Sequence, residues 1–271
     1  MAHKTPLAAW LYLNRSKLDP KFTEFKGTGE LLPGLFDFST RINWNGVELD
    51  GRGVDERREI AFEKSVAECI ERIICVEKNI TSVGLAVSGE GHDPDSHARF
   101  EALERYYLNE HLQKSVYLKK VESKSNLVEI FLNSNPDCKA EFFKMLTPDH
   151  LHGLVCRISG ANQYAFGFAL SESIHDSERR SFLEAIPSFA WLKTNVDADL
   201  KNQNTPWQIS IDFISNISPL LGDSSTKHLQ NLIFPNLVFE KIDYSNIRIL
   251  NTLSMNAVRC TATASESELC L

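Results

Sequence analysis

Three stretches of this chain align without a gap, and their shared spacing demands one strand–loop–helix unit built three times. They are residues 51–68 (GRGVDERREIAFEKSVAE), 84–101 (GLAVSGEGHDPDSHARFE) and 167–184 (GFALSESIHDSERRSFLE). In each, a Gly stands seventeen residues before a Glu. A small residue follows the Gly by two (Gly53, Ala86, Ala169), and another precedes the Glu by three (Ser65, Ala98, Ser181). A repeat of this kind organises a fold before any single motif does. The stretches RINWNGVEL, ITSVGLAV and QYAFGFAL lead into the three copies, and their alternation and β-branched or aromatic content predict strands. Turn-forming residues follow at 53–55, 89–95 and 171–177. Helical patterns come next, with Asp or Ser near their starts as caps. The fold class is therefore α/β in the mixed α+β sense, with each Glu in the body of a helix.

Composition narrows the function. With 271 residues, 42% hydrophobic and 24% charged, the chain can bury a sizeable core. A formal net charge of −7 argues against a nucleic-acid protein built on a broad basic face. Six Cys (69, 75, 138, 156, 260, 270) form no C-x-x-C pair, and nothing else suggests secretion. The apolar run at residues 7–13 is too short for a membrane span, so the expectation is a cytoplasmic protein with no membrane partner.

The chemistry sits at the ends of the first two copies. There the sequence reads Glu68-Cys-Ile-Glu71-Arg72 and Glu101-Ala-Leu-Glu104-Arg105, so two E-x-x-E-R runs repeat at an offset of 33. On a helix, residues three apart share a face, about 5–6 Å between Cβ atoms. One such pair is usually a solvated face. Here Ala67, Ile70 and Ile73, and Phe100, Leu103 and Tyr106, put apolar groups beside the carboxylates, so the pairs belong at a core edge. Carboxylates gathered there call for cations, and Mg2+ fits as a hard ion that takes carboxylate, water and phosphate oxygens. Arg72 and Arg105 have the geometry to fix carboxylates or phosphates. No GxxxxGK[ST] loop is present, and Ser88-Gly89-Glu90-Gly91 lacks its Lys.

These residues carry a resemblance. The strand–GxG–helix–ExxER unit followed by a second Gly-led helix with ExxER resembles the YcaO family, well over residues 41–110 and more weakly over 155–191. Members use ATP to activate a backbone amide in a peptide or protein. The resemblance implies that Glu68, Glu71, Glu101 and Glu104 hold Mg2+ and, with Arg72 and Arg105, the triphosphate of ATP. Arg180 and Glu184 match the family's later Arg-x-x-x-Glu nucleotide contact, and their spacing places them on one helical face. Attack on a peptide carbonyl by a neighbouring Cys, Ser or Thr, or by a sulfide donor, would give an oxyanion. Its phosphorylation makes oxygen a leaving group, yielding an azoline or a thioamide. No enzyme nucleophile is needed, consistent with the lack of a GxSxG elbow; the catalytic residues stay unassigned.

The resemblance also implies a ribosomally made peptide substrate. The expected partner is a leader-peptide-binding protein akin to ubiquitin-activating enzymes, or a TfuA-type protein; a homodimer is a further expectation. The competing reading is a degenerate YcaO-like subunit that serves as a peptide- or partner-binding scaffold. Three departures favour it: little sequence separates the two ExxER runs, Val83 stands where the family often has Asn, and no Pro follows Pro235. The family's N-terminal phosphate contacts have only Arg15, Ser16 and Lys17 as loose counterparts.

The remaining features read as structure. His150-Leu-His152 is a two-residue-spaced His pair, more often surface than ligand. His92, Asp93, Asp95 and His97 read as loop and cap chemistry, and Lys119, Lys120 and Glu122–Lys124 as a solvated stretch. Phe142, Phe143, Phe166, Phe168, Phe189 and Trp191 read as core. Residues 1–40 form an N-terminal extension, 41–260 one compact core and 261–271 a loose acidic tail. Within the core, 112–150 is expected to be a polar connector with one helix near 138–146. Residues 194–207 should form an exposed loop, and 231–238 a buried strand or turn.

Overall fold

The structure is a computed structural model that describes residues 6–89, 94–114, 116–160, 163–194, 218–221, 235–250, 253 and 255–263. The chain forms two compact units. Met1–Ala102 with Asn236–Ala262 make the first, and Leu103–Pro235 with Thr263–Leu271 the second.

The first unit begins with helices α1 (Pro6–Leu13) and α2 (Arg15–Leu18), strand β1 (Lys21–Glu24), helix α3 (Lys26–Leu31) and strands β2 (Phe36–Trp44) and β3 (Val47–Asp55). The strands form an antiparallel sheet in the order β1-β2-β3. The stretch RINWNGVEL is a hairpin rather than one strand. Asn45 and Gly46 both take positive φ (51° and 83°), the two-residue turn that Asn-Gly favours because it matches strand twist. The strand entering the first helix is β3, so residues 53–55 lie in that strand and not in a turn. Helix α4 (Arg58–Lys78) covers β3 and β2 and stops at Asn79, which takes the left-handed conformation (φ 53°).

Strand β4 (Leu85–Gly89) pairs antiparallel with β10 (Met255–Thr263), and β9 (Asn236–Lys241) completes a sheet of order β4-β10-β9. Val66, Ile70, Ile73 and Ile74 of α4 meet Leu7, Trp10, Leu11, Leu18, Leu85, Leu250 and Leu253 in one core. The Trp10 indole N–H donates to Ile249 O at 2.9 Å, satisfying the polar edge of that ring. The segment before residue 41 is thus part of this core. Burying a Leu contributes roughly 1.5–3 kcal/mol, so α1 is held firmly by Leu7 and Leu11, with Trp10 beside them.

Helix α5 (Asp95–Gln113) starts in the first unit, where Ala98 and Ala102 pack on Ala86, Val258 and Cys260. It ends in the second, where Leu108 packs with Phe143, Met145, Val155, Phe166 and Phe168. The second unit holds an antiparallel sheet of order β5-β6-β7-β8, with β5 at Lys119–Val121, β6 at Lys139–Lys144, β7 at His152–Gly160 and β8 at Gln163–Ser171. Helix α6 (Asn126–Ser134) joins β5 to β6, and helix α7 (Ile174–Thr194) follows β8 and lies on β8 and β7. Five of the six aromatic residues expected in the core are buried (Phe142, Phe143, Phe166, Phe168 and Phe189), whereas Trp191 is only half-buried.

Two further expectations fail. The helix expected near 138–146 is strand β6, because pairing with β7 along its whole length outweighs the helix propensity of its Ala, Glu and Lys. Residues 236–241 are strand as expected, but an exposed edge strand rather than a buried one. The expected loop at 194–207 and tail at 261–271 fall mainly outside the described residues.

Candidate functional site

Each repeat is now a strand followed by a helix: β3–α4, β4–α5 and β8–α7. The repeated Gly and Glu have one physical explanation in the first and third copies. A Cβ on Gly51 would lie 2.1 Å from Ser65 O, and one on Gly167 would lie 2.0 Å from Ser181 O. The helix crosses so close that only Gly fits. The repeated Ser65 and Ser181 are the residues crossed. The Glu three residues further on then reaches back to the strand. Glu68 Oε2 accepts the Arg52 N–H at 2.7 Å, and Glu184 Oε2 accepts the Phe168 N–H at 2.6 Å.

In the first unit α4 carries two such carboxylates. Besides Glu68 on β3, Glu71 Oε1 accepts the Val87 N–H of β4 at 3.0 Å. The other oxygen of Glu68 is bound by Arg72 Nη2 at 2.9 Å, and Arg72 Nη1 reaches Ser82 Oγ at 3.5 Å. Loss of water pushes the Glu71 carboxyl well above the usual range. The charges of Glu68 and Glu101 act the same way, while the Val87 N–H and Arg72 oppose. Glu68 and Glu101 are therefore close enough to raise the cost of charging Glu71. Behind Arg52, the fully buried Asp37 holds the guanidinium through two bonds of 2.9 and 2.7 Å and accepts the Thr28 hydroxyl at 2.6 Å.

In the second unit Glu104 is buried, and Arg105 Nη2 lies 3.7 Å from its carboxylate and 3.8 Å from that of Glu184. Arg180, one helical turn before Glu184, donates from Nη1 to Leu170 O of β8 at 3.1 Å. The expected residues thus fall into two groups: Glu68, Glu71, Arg72 and Glu101 in one unit, and Glu104, Arg105, Arg180 and Glu184 in the other. Helix α5 carries members of both.

The donor set fits a hard divalent cation, since its atoms are carboxylate oxygens and its Glu71 carboxyl is disfavoured as an anion by burial and by the neighbouring carboxylates. Among the described residues, no three His, Cys, Asp or Glu side chains are already gathered as a metal cage. His152 opens β7 and His150 precedes it in a turn; His92 and Asp93 lie outside the described residues. Arg15 lies over the Tyr12 ring at 4.3 Å. The sequence reading did not foresee the strand amides of Arg52, Val87 and Phe168 as partners of the glutamates. The signal was available in the fixed Gly-to-Glu spacing.

No family model and no curated protein sequence matches this chain. Solved structures do. One is a YcaO from Methanopyrus kandleri bound with AMPPCP and Mg2+, matched with a TM-score of 0.63 and 11% identity over 97% of this chain and 92% of that one. The fold is the YcaO fold. A heterocyclase in complex with substrate and cofactor matches with a TM-score of 0.64 and 8% identity, over 96% of this chain and 52% of that one. The chain therefore spans about half the length of that heterocyclase and nearly all of the Methanopyrus YcaO chain. Among the described residues no helix is long and apolar enough to cross a membrane.

Proposed function

We propose that this YcaO-fold chain uses ATP and Mg2+ to activate a backbone amide of a ribosomally made peptide, giving an azoline or a thioamide. The observation that carries this reading is the set of glutamates that the repeats hold in place. Glu68 and Glu71 each spend one oxygen on a strand N–H, which fixes them without neutralising them. Glu71, with Glu68 and Glu101 beside it, carries the electrostatic cost that a dication relieves. The ligands of the Methanopyrus neighbour, AMPPCP and Mg2+, agree in kind with this donor set.

Glu68, Glu71, Glu101 and Glu104 would hold Mg2+, and Arg72, Arg105, Arg180 and Glu184 would orient the triphosphate. Bound ATP and Mg2+ supply the phosphoryl group and the charge compensation. The chain's own work is positioning. Arg105 carries a guanidinium beside Glu104 and Glu184, where it orients both carboxylates and can meet an anionic oxygen. The peptide is delivered by a leader-binding partner related to ubiquitin-activating enzymes or by a TfuA-type protein, in the cytoplasm.

The test is Mg2+-dependent ATP hydrolysis with candidate peptides, alone and with the genomic neighbour, beside Glu71→Gln. Product mass separates loss of water (azoline) from replacement of oxygen by sulfur (thioamide). If calorimetry detects no nucleotide binding, and Glu71→Gln behaves as wild type, the enzyme reading falls and the scaffold reading stands. The observation favouring that second reading is the lack of a gathered metal cage among the described residues.

A further inference from the structure

Strand β3 is the last strand of its sheet, with β2 as its ladder partner. Gly51 and Gly53 face α4, so the Arg52 side chain between them lies on the other face of the sheet. There the Asp37 carboxylate of β2 accepts Arg52 Nε at 2.9 Å and Nη2 at 2.7 Å. Asp37 is fully buried, and its Oδ2 also accepts the Thr28 hydroxyl of α3 at 2.6 Å. The Arg52 guanidinium lies over the Phe25 ring, 5.0 Å from its centre. Arg52 is thus held on one face by Asp37 and Phe25, while Glu68 of α4 takes its main-chain N–H.

A buried ion pair is a weak source of stability, because losing water offsets much of the attraction, and apolar side chains of similar size often serve as well. The third repeat shows that alternative. Its equivalent residue, Phe168, donates its N–H to Glu184 and seats its ring among Leu108, Phe143, Val155 and Phe166. What the Asp37–Arg52 pair adds in the first repeat is direction. Two bonds to one carboxylate fix a planar guanidinium in place, where an apolar contact would let it slide. The bonds continue from Thr28 through Asp37, Arg52 and Glu68 to Arg72, whose Nη2 binds the other Glu68 oxygen at 2.9 Å.

We propose that Asp37 is a positioning residue for Glu68, acting through Arg52. By fixing β3 at Arg52, it sets the place and direction of the N–H that Glu68 Oε2 accepts, and so the place of the Glu68 carboxylate. This deepens the proposed function and rests on it, since Glu68 matters to the reaction as a Mg2+ ligand. The effect of Asp37 on the Arg52 N–H does not depend on that reading.

The test is Asp37→Asn in the full chain. Amide hydrogen exchange without Mg2+ reads the position directly. The Arg52 N–H should exchange about tenfold faster, as for a weakened bond to a charged group, while the Ile70 and Ile73 amides of α4 keep their rates. Equal acceleration of all three, or none at Arg52, would overturn the proposal. Calorimetry with Mg2+ and a nonhydrolysable ATP analogue reads the consequence for Glu68. Asp37→Asn should weaken binding about tenfold, as loss of an outer partner of a metal ligand does, and should add no further loss beside Glu68→Gln. Equal weakening in both backgrounds would mean that Asp37 does not act through Glu68. If the wild-type chain binds no nucleotide, the proposed function falls and the exchange rates alone decide Asp37. If circular dichroism shows Asp37→Asn to be misfolded, Thr28→Val replaces it. That variant removes one bond to Asp37 and should speed Arg52 exchange about threefold, again without moving Ile70 or Ile73; no change at Arg52 would count against the proposal.

Discussion

Glu184 accepts the Phe168 N–H at 2.6 Å across sixteen residues, and Glu68 accepts the Arg52 N–H at 2.7 Å across the same sixteen. One carboxylate-to-strand clamp is thus built twice, in different units, on the same glycine-led crossing. Gly167 is where that crossing is tightest. Gly167→Ala would press Cβ to 2.0 Å from Ser181 O and 2.5 Å from Ala185 N, both backbone atoms that cannot swing aside. The expected cost is about 3 kcal/mol or more, as for severe overpacking. Urea denaturation followed by circular dichroism checks this, and Gly51→Ala should behave alike.

The position of Glu71 leads to an opposite sign. Its carboxyl is raised by burial and by two like charges, so ionising it in the fold costs more than ionising it in the unfolded chain. Without Mg2+, Glu71→Gln should raise thermal stability by about 1 kcal/mol. Wild type should gain stability on adding Mg2+ with a nonhydrolysable ATP analogue, and Glu71→Gln should not. Melting curves in chelator and in Mg2+ separate the two effects. A Glu71→Gln protein that melts lower in chelator would mean the carboxylate is simply structural.

Glu178 is a buried carboxylate whose contacts are all donors from one short loop. Replacing it with Gln keeps the shape but removes the charge that these bonds rely on. The expected destabilisation is about 2 kcal/mol, typical of bonds to a charged buried acceptor. Hydrogen exchange at Lys124 and Ser125 should accelerate more than elsewhere in the second unit.

The sequence made the repeats legible because their spacing is imposed by local geometry. Gly51 and Gly167 must lack a Cβ where the helix crosses, and Glu68 and Glu184 must lie one turn beyond Ser65 and Ser181 to reach the strand. Non-local pairing was not legible. Residues 139–144 carry helix formers, yet they become β6 because β7 supplies the ladder. Trp10 and Leu11 looked like an extension because their core partners, such as Leu250 and Leu253, lie some 240 residues away. Val87 as the partner of Glu71 was hidden for the same reason, since only the closing of β4 onto α4 brings them together.

His111 is fully buried on α5, and its environment fixes one tautomer. Its Nδ1 lies 2.7 Å from Tyr107 O, an acceptor, so Nδ1 carries the proton. Its Nε2 accepts the Leu146 N–H at 2.9 Å, a bond that a protonated ring cannot make. Burial lowers its pKa below the usual imidazole value, with the Tyr107 carbonyl and Glu110 opposing. The unfolded chain therefore takes up a proton first as the pH falls. Its stabilising contribution is complete above about pH 6.5, the usual value, and is lost progressively below it. His111→Gln keeps an acceptor within reach of Leu146 and cannot titrate in this range. Urea unfolding of the two proteins should therefore differ in slope between about pH 7.5 and 5.5, with wild type losing more stability on acidification. Equal slopes would mean that Nε2 is not held as the acceptor of the Leu146 N–H.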